Sequence, residues 1–515
     1  MNPFLPEGEY IPDAEPYIFG DRVYIYGSHD QFGAPIFCTG DYMAWSAPVE
    51  SFEKPGAWRC DGVLYRKTQD PLNTLGLRLL FAPDVCQGPD GRFYLYYAFD
   101  FMGIMGVAVA DEPAGPFEFY GHVRHADGTL WGRRAGDSFP FDPAVLVDGG
   151  RVYLYSGFYT PVSRVLTGFH QLNFPGGVVV ELSDDMLTLK GEEELAFPRE
   201  DGEFFEASSI RKIGAYYYFV YSSQRNHELK YAVSSRPNGG FEYAGTLVSI
   251  GNVGLHGITD ERHADNYLGN THGGLLQRGE DFYIFYHRQT NRTSYARQAC
   301  AEKLTYTRDA RGMLHFQQAE ITTRGADDAP LTLGVSAETS LKAYTASTLW
   351  AGGHETLRYD APMTRAERAK HPYFTQERGE DGVSGIAVRQ YIANMTDGAT
   401  CGFTYVSTAC LEELSRVSVR ARARRGAVGE LVVSVQARGQ ARGQRRESQR
   451  AVLARIPVSG RGTRGFVMKP QWAVYEAAAF ALERKEIGAD EVALYVTYEG
   501  TGAVDLLDMC GTCGE

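Results

Sequence analysis

The sequence predicts an all-β chain, a five-bladed β-propeller followed by a β-sandwich, on three observations. A tyrosine-rich strand recurs at residues 22–28 (RVYIYGS), 92–98 (RFYLYYA), 151–157 (RVYLYSG), 216–222 (YYYFVYS) and 281–287 (DFYIFYH), with copies 59 to 70 residues apart. One polar residue stands ten or eleven positions ahead of a tyrosine in each copy: Asp13, Asp84, Asp142, Glu206 and His272. Strand groups repeating at this period mark a radial β architecture. Beyond the repeats, short alternating strands with Gly-rich turns predict a sandwich.

The elements follow in order. Residues 1–325 hold the five repeats, and each repeat continues into further short β runs bounded by Gly, Pro, Asp and Asn. Two repeats share a second signature, a strand, a Pro-Gly turn and a Phe-led strand, at 107–118 (VAVADEPAGPFE) and 231–242 (YAVSSRPNGGFE). Few segments show a helical period. Residues 326–374 read as an irregular connecting region running into the charged stretch 364–380. Residues 375–515 read as the sandwich, with strands expected at 388–392, 402–406, 417–421, 431–436, 465–468, 491–498 and 504–508.

Composition narrows the function. Aromatic residues make up 13% of the chain, which suits strands and also a sugar site, because sugar C–H faces stack on aromatic rings. A net charge of −13 argues against nucleic acid as a partner. The Arg-rich stretch 416–450 lacks the aromatics that stack bases and reads as a solvated face. The eight cysteines are scattered, as in a reduced intracellular protein, and Cys510-Gly-Thr-Cys513 has no second pair to complete a zinc site. No apolar run approaches the ~20 residues of a membrane span. The start MNPFLPEGEY lacks the regions of a signal peptide, so a cytoplasmic location without membrane contact is expected.

Carboxylates brought together on equivalent inner strands raise one another's pKa. Such a cluster suits acid–base chemistry, in which one carboxyl is protonated while another is ionised. Glycoside hydrolysis with inversion needs such a pair, held ~6.5–9.5 Å apart across the scissile bond. An Asp ahead of a strand is also a common turn residue, and for Asp84 both readings stand. His272 could equally be a hydrogen-bonded core histidine. Phe32, in the loop after the first tyrosine strand, is a candidate stacking wall.

Residues 1–325 resemble glycoside hydrolase family 43. The resemblance rests on Pro12-Asp13-Ala14-Glu15-Pro16, Ala82-Pro83-Asp84-Val85, Phe141-Asp142-Pro143-Ala144, Phe205-Glu206-Ala207-Ser208-Ser209 and Thr271-His272-Gly273-Gly274, in that order. It implies that Asp13 is the general base, Glu206 the general acid, and Asp142 the residue that tunes and orients the acid. It further implies that Arg288, straight after Tyr286-His287, contacts the sugar and that His272 is the family's axial histidine, while Asp84, His272 and Phe32 are further candidates for binding the substrate. No cofactor is required by the resemblance, although His272 could lie beside one structural Ca²⁺ near the propeller axis. Ala14 and Ala207-Ser208 depart from the family's commoner wording, which bears on subfamily and substrate. Residues 375–511 resemble carbohydrate-binding module family 6, on Tyr391-Ile392-Ala393-Asn394-Met395, Asp397-Gly398-Ala399, Gly402-Phe403-Thr404-Tyr405 and the segments 385–389 and 500–507. Trp472 and Tyr475 are its candidate ligand aromatics.

The expected activity is an inverting exo-glycosidase that releases terminal pentoses from small plant-derived oligosaccharides. α-L-Arabinofuranosidase leads, with β-D-xylosidase as the alternative. The rival classes are a sugar phosphorylase and a non-catalytic sugar-binding propeller. A phosphorylase would replace the base with phosphate-binding cations, and a lectin-like propeller would lose the acid, yet Asp13 and Glu206 are both present.

Overall fold

The computed structural model describes residues 1–100, 102–159, 176–198, 203–336, 339–377, 388–437, 450–460, 470–480 and 489–513. Among these residues the chain is all-β, with α-helix confined to Arg365–Lys370 and Ala409–Glu412. None of the helices described is long and apolar enough to cross a membrane.

Five antiparallel sheets follow one another along the first part of the chain. The first contains Glu15–Phe19, Arg22–Tyr26, Tyr42–Pro48 and Arg59–Tyr65. The second contains Asp84–Gln87, Phe93–Ala98, Met105–Ala110 and Glu118–His122. The third contains Ala144–Asp148, Arg151–Ser156, Gly176–Leu182 and Glu194–Pro198. The fourth contains Phe204–Ile213, Tyr216–Ser223, Leu229–Ser234 and Glu242–Val248. The fifth contains Leu275–Arg278, Asp281–Gln289 and Arg297–Leu304. The tyrosine-rich repeat is the second strand of every sheet. Tight turns join the first two strands, and Gly20, Gly214 and Gly279 supply the positive φ those turns need.

The tyrosine strands are apolar on both faces because each sheet is covered on both sides, so pleat alternation sends successive side chains into two different cores. Tyr24 and Tyr26 pack with Leu95 and Tyr97 between the first and second sheets. Tyr96 packs with Leu154 between the second and third, Tyr155 with Phe219 between the third and fourth, and Tyr218 with Ile284 between the fourth and fifth. A further core joins the fifth sheet back to the first, with Ile25 and Trp45 against Tyr283 and Phe285. The five sheets therefore close into a ring. The N-terminal segment fastens the closure: the Asn2 amide donates to Ala301 O at 3.1 Å and Glu302 Oε1 at 2.8 Å, and the Phe4 N–H donates to Ala299 O at 3.3 Å.

Two larger sheets follow and share one core that includes Leu349, Phe374, Val417, Leu431, Val496 and Leu506. One is ordered Tyr373–Gln376, Gln390–Met395, Val504–Cys513, Leu414–Ala423, Ala473–Ala478, with Leu341–Lys342 also paired to Val504–Cys513. The other is ordered Thr348–Trp350, Thr400–Ser407, Glu491–Thr501, Val428–Ala437, Ala451–Ser459. The region expected to be an irregular connection thus contributes strands at Leu341–Lys342 and Thr348–Trp350. Segments of two or three residues are too short to show alternation, and only their distant partners make them strands. The expected strand at 465–468 and residues 385–387 of the 385–389 match lie outside the described residues. The Arg-rich face is paired as well as solvated: Arg422 and Arg424 reach Asp505 at 3.0 and 2.7 Å.

Candidate active site

The polar residues that precede the tyrosine strands converge at the centre of the ring, where Asp13, Asp84, Asp142 and His272 are buried. Asp13 and Asp142 lie just ahead of the first strands of their sheets, with φ of 60° and 47°. That left-handed conformation is strained for a non-glycine residue, though aspartate tolerates it better than most. Glu206 sits inside its strand, where the register to Tyr216–Ser223 shifts on both sides of it. A bulge of this kind re-aims a side chain, and the next residue, Ala207, has φ 69°.

Asp13 is held as an anion. Its Oδ2 accepts from Ser28 Oγ at 2.6 Å and its Oδ1 from Arg297 Nη1 at 2.9 Å. The rest of the Arg297 guanidinium is clamped by Asp30, with Nε to Oδ2 at 2.8 Å and Nη2 to Oδ1 at 3.0 Å. Burial pushes the Asp13 carboxyl up, but Arg297, two neighbouring histidines and the Ser28 hydroxyl outweigh it and hold the carboxyl below its ordinary range. The Asp13 N–H donates to His287 Nδ1 at 3.2 Å, and His287 Nε2 faces Asn270 O at 2.8 Å. These partners place the ring proton on Nε2, and burial lowers His287 to about 3, so the imidazole is neutral.

Glu206 has the opposite environment. Its carboxyl makes no hydrogen bond among the described residues. Burial and then the Asp13 charge push it up to about 8, against a smaller opposing pull from Arg297. Asp142 is also pushed up, by burial first and then by repulsion from Glu206 and Asp13. Asp142 Oδ2 accepts the Ala207 N–H at 3.0 Å, which fixes the backbone beside Glu206.

His272 stands at the join of this cluster with a second, deeper one. Its Nδ1 is 3.7 Å from Asp142 Oδ2 and its Nε2 is 3.8 Å from Glu15 Oε1. Burial lowers it to about 4, so it is neutral. The sequence around it is sterically required. A Cβ on Gly273 would lie 1.9 Å from Phe285 O, and one on Gly274 would lie 2.3 Å from Glu15 Oε2. Among the described residues no three His, Cys, Asp or Glu side chains are grouped to hold a metal ion. The residues around His272 therefore do not fit a direct protein ligand set for Ca²⁺.

The deeper cluster ties the ring together. Arg211 Nη2 donates to Glu15 Oε2 at 2.7 Å, its Nη1 to Tyr17 OH at 3.1 Å and its Nε to Leu275 O at 2.9 Å. Tyr17 OH donates to Asp84 Oδ1 at 2.7 Å, and Asp84 Oδ2 accepts the Val145 N–H at 2.7 Å. One hydrogen-bonded chain thus touches all five sheets. Asp84 is fully buried within it, and both its oxygens are engaged by protein groups, so it offers no open face to a sugar. Its carboxyl, pushed up to about 6 by burial, is a brace between sheets.

Two further expectations shift. Arg288 points away from the cluster: Nη1 donates to Ala346 O at 2.7 Å, Nη2 donates to Gln298 Oε1 at 3.1 Å and to Tyr344 O, and the guanidinium lies 4.2 Å from the Phe374 ring centre. The cause is the pleat. His287 faces Asp13, so its neighbour must face the other side. The arginine on the Asp13 side is Arg297, whose Cα partner is Gln289, two positions beyond His287. That i, i+2 relation was the signal that could have found it. Phe32 is half-buried and stacks on Tyr10 with ring centres 6.4 Å apart, whereas Phe37 lies 5.0 Å from the Arg297 guanidinium. Phe37 belongs to an arc of aromatic contacts that runs from Tyr295 through Phe37, Phe81, Phe141 and Phe158 to Phe205. Phe141 and Phe205 directly precede Asp142 and Glu206, so the arc borders the carboxyl cluster.

In the C-terminal sheets, Trp472 packs against the Arg422 guanidinium at 4.3 Å, and its indole N–H donates to Glu377 Oε1 at 2.7 Å. Tyr475 is half-buried on Ala473–Ala478.

Comparison with known proteins places these observations. The family model described as glycosyl hydrolases family 43 matches residues 2–311. A xylosidase/arabinosidase of Thermoclostridium stercorarium is 42% identical over 519 residues, covering 98% of this chain and 97% of that protein. The xylosidase/arabinosidase 43A of Humicola insolens is 30% identical over 282 residues, covering 46% of this chain and 80% of the relative. Among solved structures, a glycoside hydrolase family 43 arabinoxylan arabinofuranohydrolase from Bacillus subtilis, in complex with cellotetraose, is 17% identical with a TM-score of 0.46, over 100% of this chain and 97% of that one.

Proposed function

Because the chain belongs to glycosyl hydrolases family 43, we propose that it is an inverting exo-glycosidase releasing terminal pentoses from small plant-derived oligosaccharides. The ring of sheets is read as a five-bladed propeller carrying the active site within residues 1–325. The two C-terminal sheets are read as a β-sandwich of carbohydrate-binding-module type. α-L-Arabinofuranosidase is the leading activity and β-D-xylosidase the second, and the relative at 42% identity is named for both.

One observation supports the mechanism: Asp13 is bonded to Arg297 and Ser28, whereas the Glu206 carboxyl has no hydrogen-bond partner among the described residues, and these settings favour opposite protonation states. Asp13 is held low by Arg297, while Glu206 is raised to about 8. At neutral pH Glu206 is an acid with a proton to give, and Asp13 is a base able to take one. Glu206 protonates the glycosidic oxygen as the bond to the anomeric carbon breaks. Asp13 removes a proton from the water whose oxygen bonds that carbon on the opposite face. Asp142, through the Ala207 N–H, holds the acid in its bulge. The aromatic arc offers apolar faces to the sugar rings.

The test is hydrolysis of a panel of nitrophenyl glycosides with and without phosphate, followed by NMR of the first-formed anomer of the released sugar. Release of pentose with inverted configuration, independent of phosphate, supports the proposal. Retention, phosphate-dependent turnover or inactivity on every pentoside overturns it.

A further inference from the structure

Outside the carboxyl cluster, a cleft of about 400 Å³ opens between the turn at residues 291–295 and the segment 359–373. Arg292, Thr293 and Tyr295 line one side, and Tyr359, Arg368 and Tyr373 line the other. The turn is anchored across the cleft. The Asn291 N–H donates to Phe374 O at 2.7 Å, and Thr375 Oγ1 donates to Asn291 Oδ1 at 3.1 Å. Arg292 lies 3.6 Å from the centre of the Tyr373 ring and donates from Nη2 to His371 O at 2.8 Å. Asn291 and Arg292 both adopt positive φ, 54° and 56°, so packing holds the walls in a conformation a free turn would leave.

Two features give the cleft a ligand chemistry. Tyr295, Tyr359 and Tyr373 provide aromatic surface. The lining contains two arginines and no carboxylate, in a chain of net charge −13. The nearest acidic side chains in sequence are already engaged: Asp360 pairs with Arg358 at 2.7 Å and His227 at 3.0 Å, and Glu367 accepts the Thr364 N–H at 2.7 Å. Tyr295 also belongs to the aromatic arc, with its ring 5.5 Å from that of Phe37, which lies against the Arg297 that holds Asp13. One wall of the cleft thus packs against the aromatic arc that borders the carboxyl cluster.

We infer that this cleft is a subsite for the leaving-group portion of the oligosaccharide, and that its exposed rim arginine, Arg368, selects a uronic acid unit carried there. The inference rests on the glycosidase reading. Its test uses Glu206→Gln protein, so that binding is read without turnover. Calorimetric titration compares xylotriose with xylotriose bearing glucuronic acid. The acidic sugar should bind about fivefold more tightly, as expected of a solvent-accessible ion pair. That advantage should vanish in the double variant Glu206→Gln/Arg368→Ala and shrink at high salt. A second variant, Ala361→Trp, fills the exposed wall and should weaken both ligands. Equal affinity for the two saccharides, or an advantage that survives Arg368→Ala, overturns the inference. If the parent protein itself cleaves no pentoside, it is the glycosidase reading that fails.

Discussion

Replacing Arg297 with methionine should move the acidic limb of activity to higher pH and destabilise the protein together. The guanidinium makes three charge-assisted hydrogen bonds, one to Asp13 at 2.9 Å and two to Asp30 at 2.8 and 3.0 Å, all fully buried. Methionine fills similar volume but leaves two buried carboxylates without their cation. Breaking a buried pair from one side costs about 3–5 kcal/mol. That is a large share of the ~5–15 kcal/mol that holds a domain folded, so the assays belong at low temperature. For activity, Asp13 must be ionised. In the parent protein burial raises the Asp13 carboxyl, and Arg297 is the largest of the groups that together outweigh it, so without Arg297 the pKa rises. The alkaline limit, set by Glu206 at about 8, should shift in the upward direction, because Arg297 lowers that group, though less than burial and Asp13 raise it. The bell of kcat/KM against pH should therefore narrow from its acid side. The linkage has a matching sign. A depressed carboxyl pKa contributes stability above its unfolded value that is lost as pH falls through the folded one, so the stability gap between parent and variant should close in acid. The measurements are a pH profile on one unactivated disaccharide and urea unfolding at neutral and acidic pH. An unmoved acidic limb would refute the assignment of Arg297 as the group that keeps the base ionised. An unmoved urea midpoint would refute the energetics.

Glu206→Gln should lower kcat by ~10²–10⁴-fold on a substrate with a poor leaving group and abolish the alkaline limb near pH 8. A nitrophenyl substrate, which leaves without a proton, should mask much of that loss, and an alkaline limb that persists in the variant contradicts the role of acid. Gly273→Ala should destabilise by about 1–3 kcal/mol, because its methyl would meet Phe285 O, and an unchanged melting temperature would show that the two backbones can separate. Arg288→Ala should lower the melting temperature while leaving KM for a nitrophenyl pentoside unchanged, since its bonds run to the Tyr344 and Ala346 carbonyls. A raised KM with normal stability would return Arg288 to the sugar site.

The three carboxyls proposed for catalysis were legible in the sequence because a repeat superimposes equivalent positions, and a common offset from five tyrosine strands sends their side chains to one centre. The groups that set their protonation were not legible. Arg297 and Asp30 are 267 residues apart, and Glu15 and Arg211 are 196 apart, so no local pattern joins either pair. The resemblance points to Arg288, next in sequence to His287, but the pleat turns adjacent side chains to opposite faces, and Arg297 is the arginine that reaches Asp13. Asp84 shares the offset of its counterparts, yet the Tyr17 hydroxyl and two backbone N–H groups occupy its oxygens, which only the packed ring reveals.

The closure of the ring also sets a schedule. Asp13 is synthesised ahead of Arg297, the arginine that pairs with it, which lies 284 positions later. At ribosomal speeds of ~5–20 residues per second, roughly 15 to 60 s separate the synthesis of the base from that of its cation. Throughout that interval the first sheet has no fifth sheet to cover Ile25 and Trp45, and no fragment ending before residue 297 contains the cation paired with the proposed base. On the proposed roles, the base gains its largest ionising partner only when the fifth sheet is made and closes against the first.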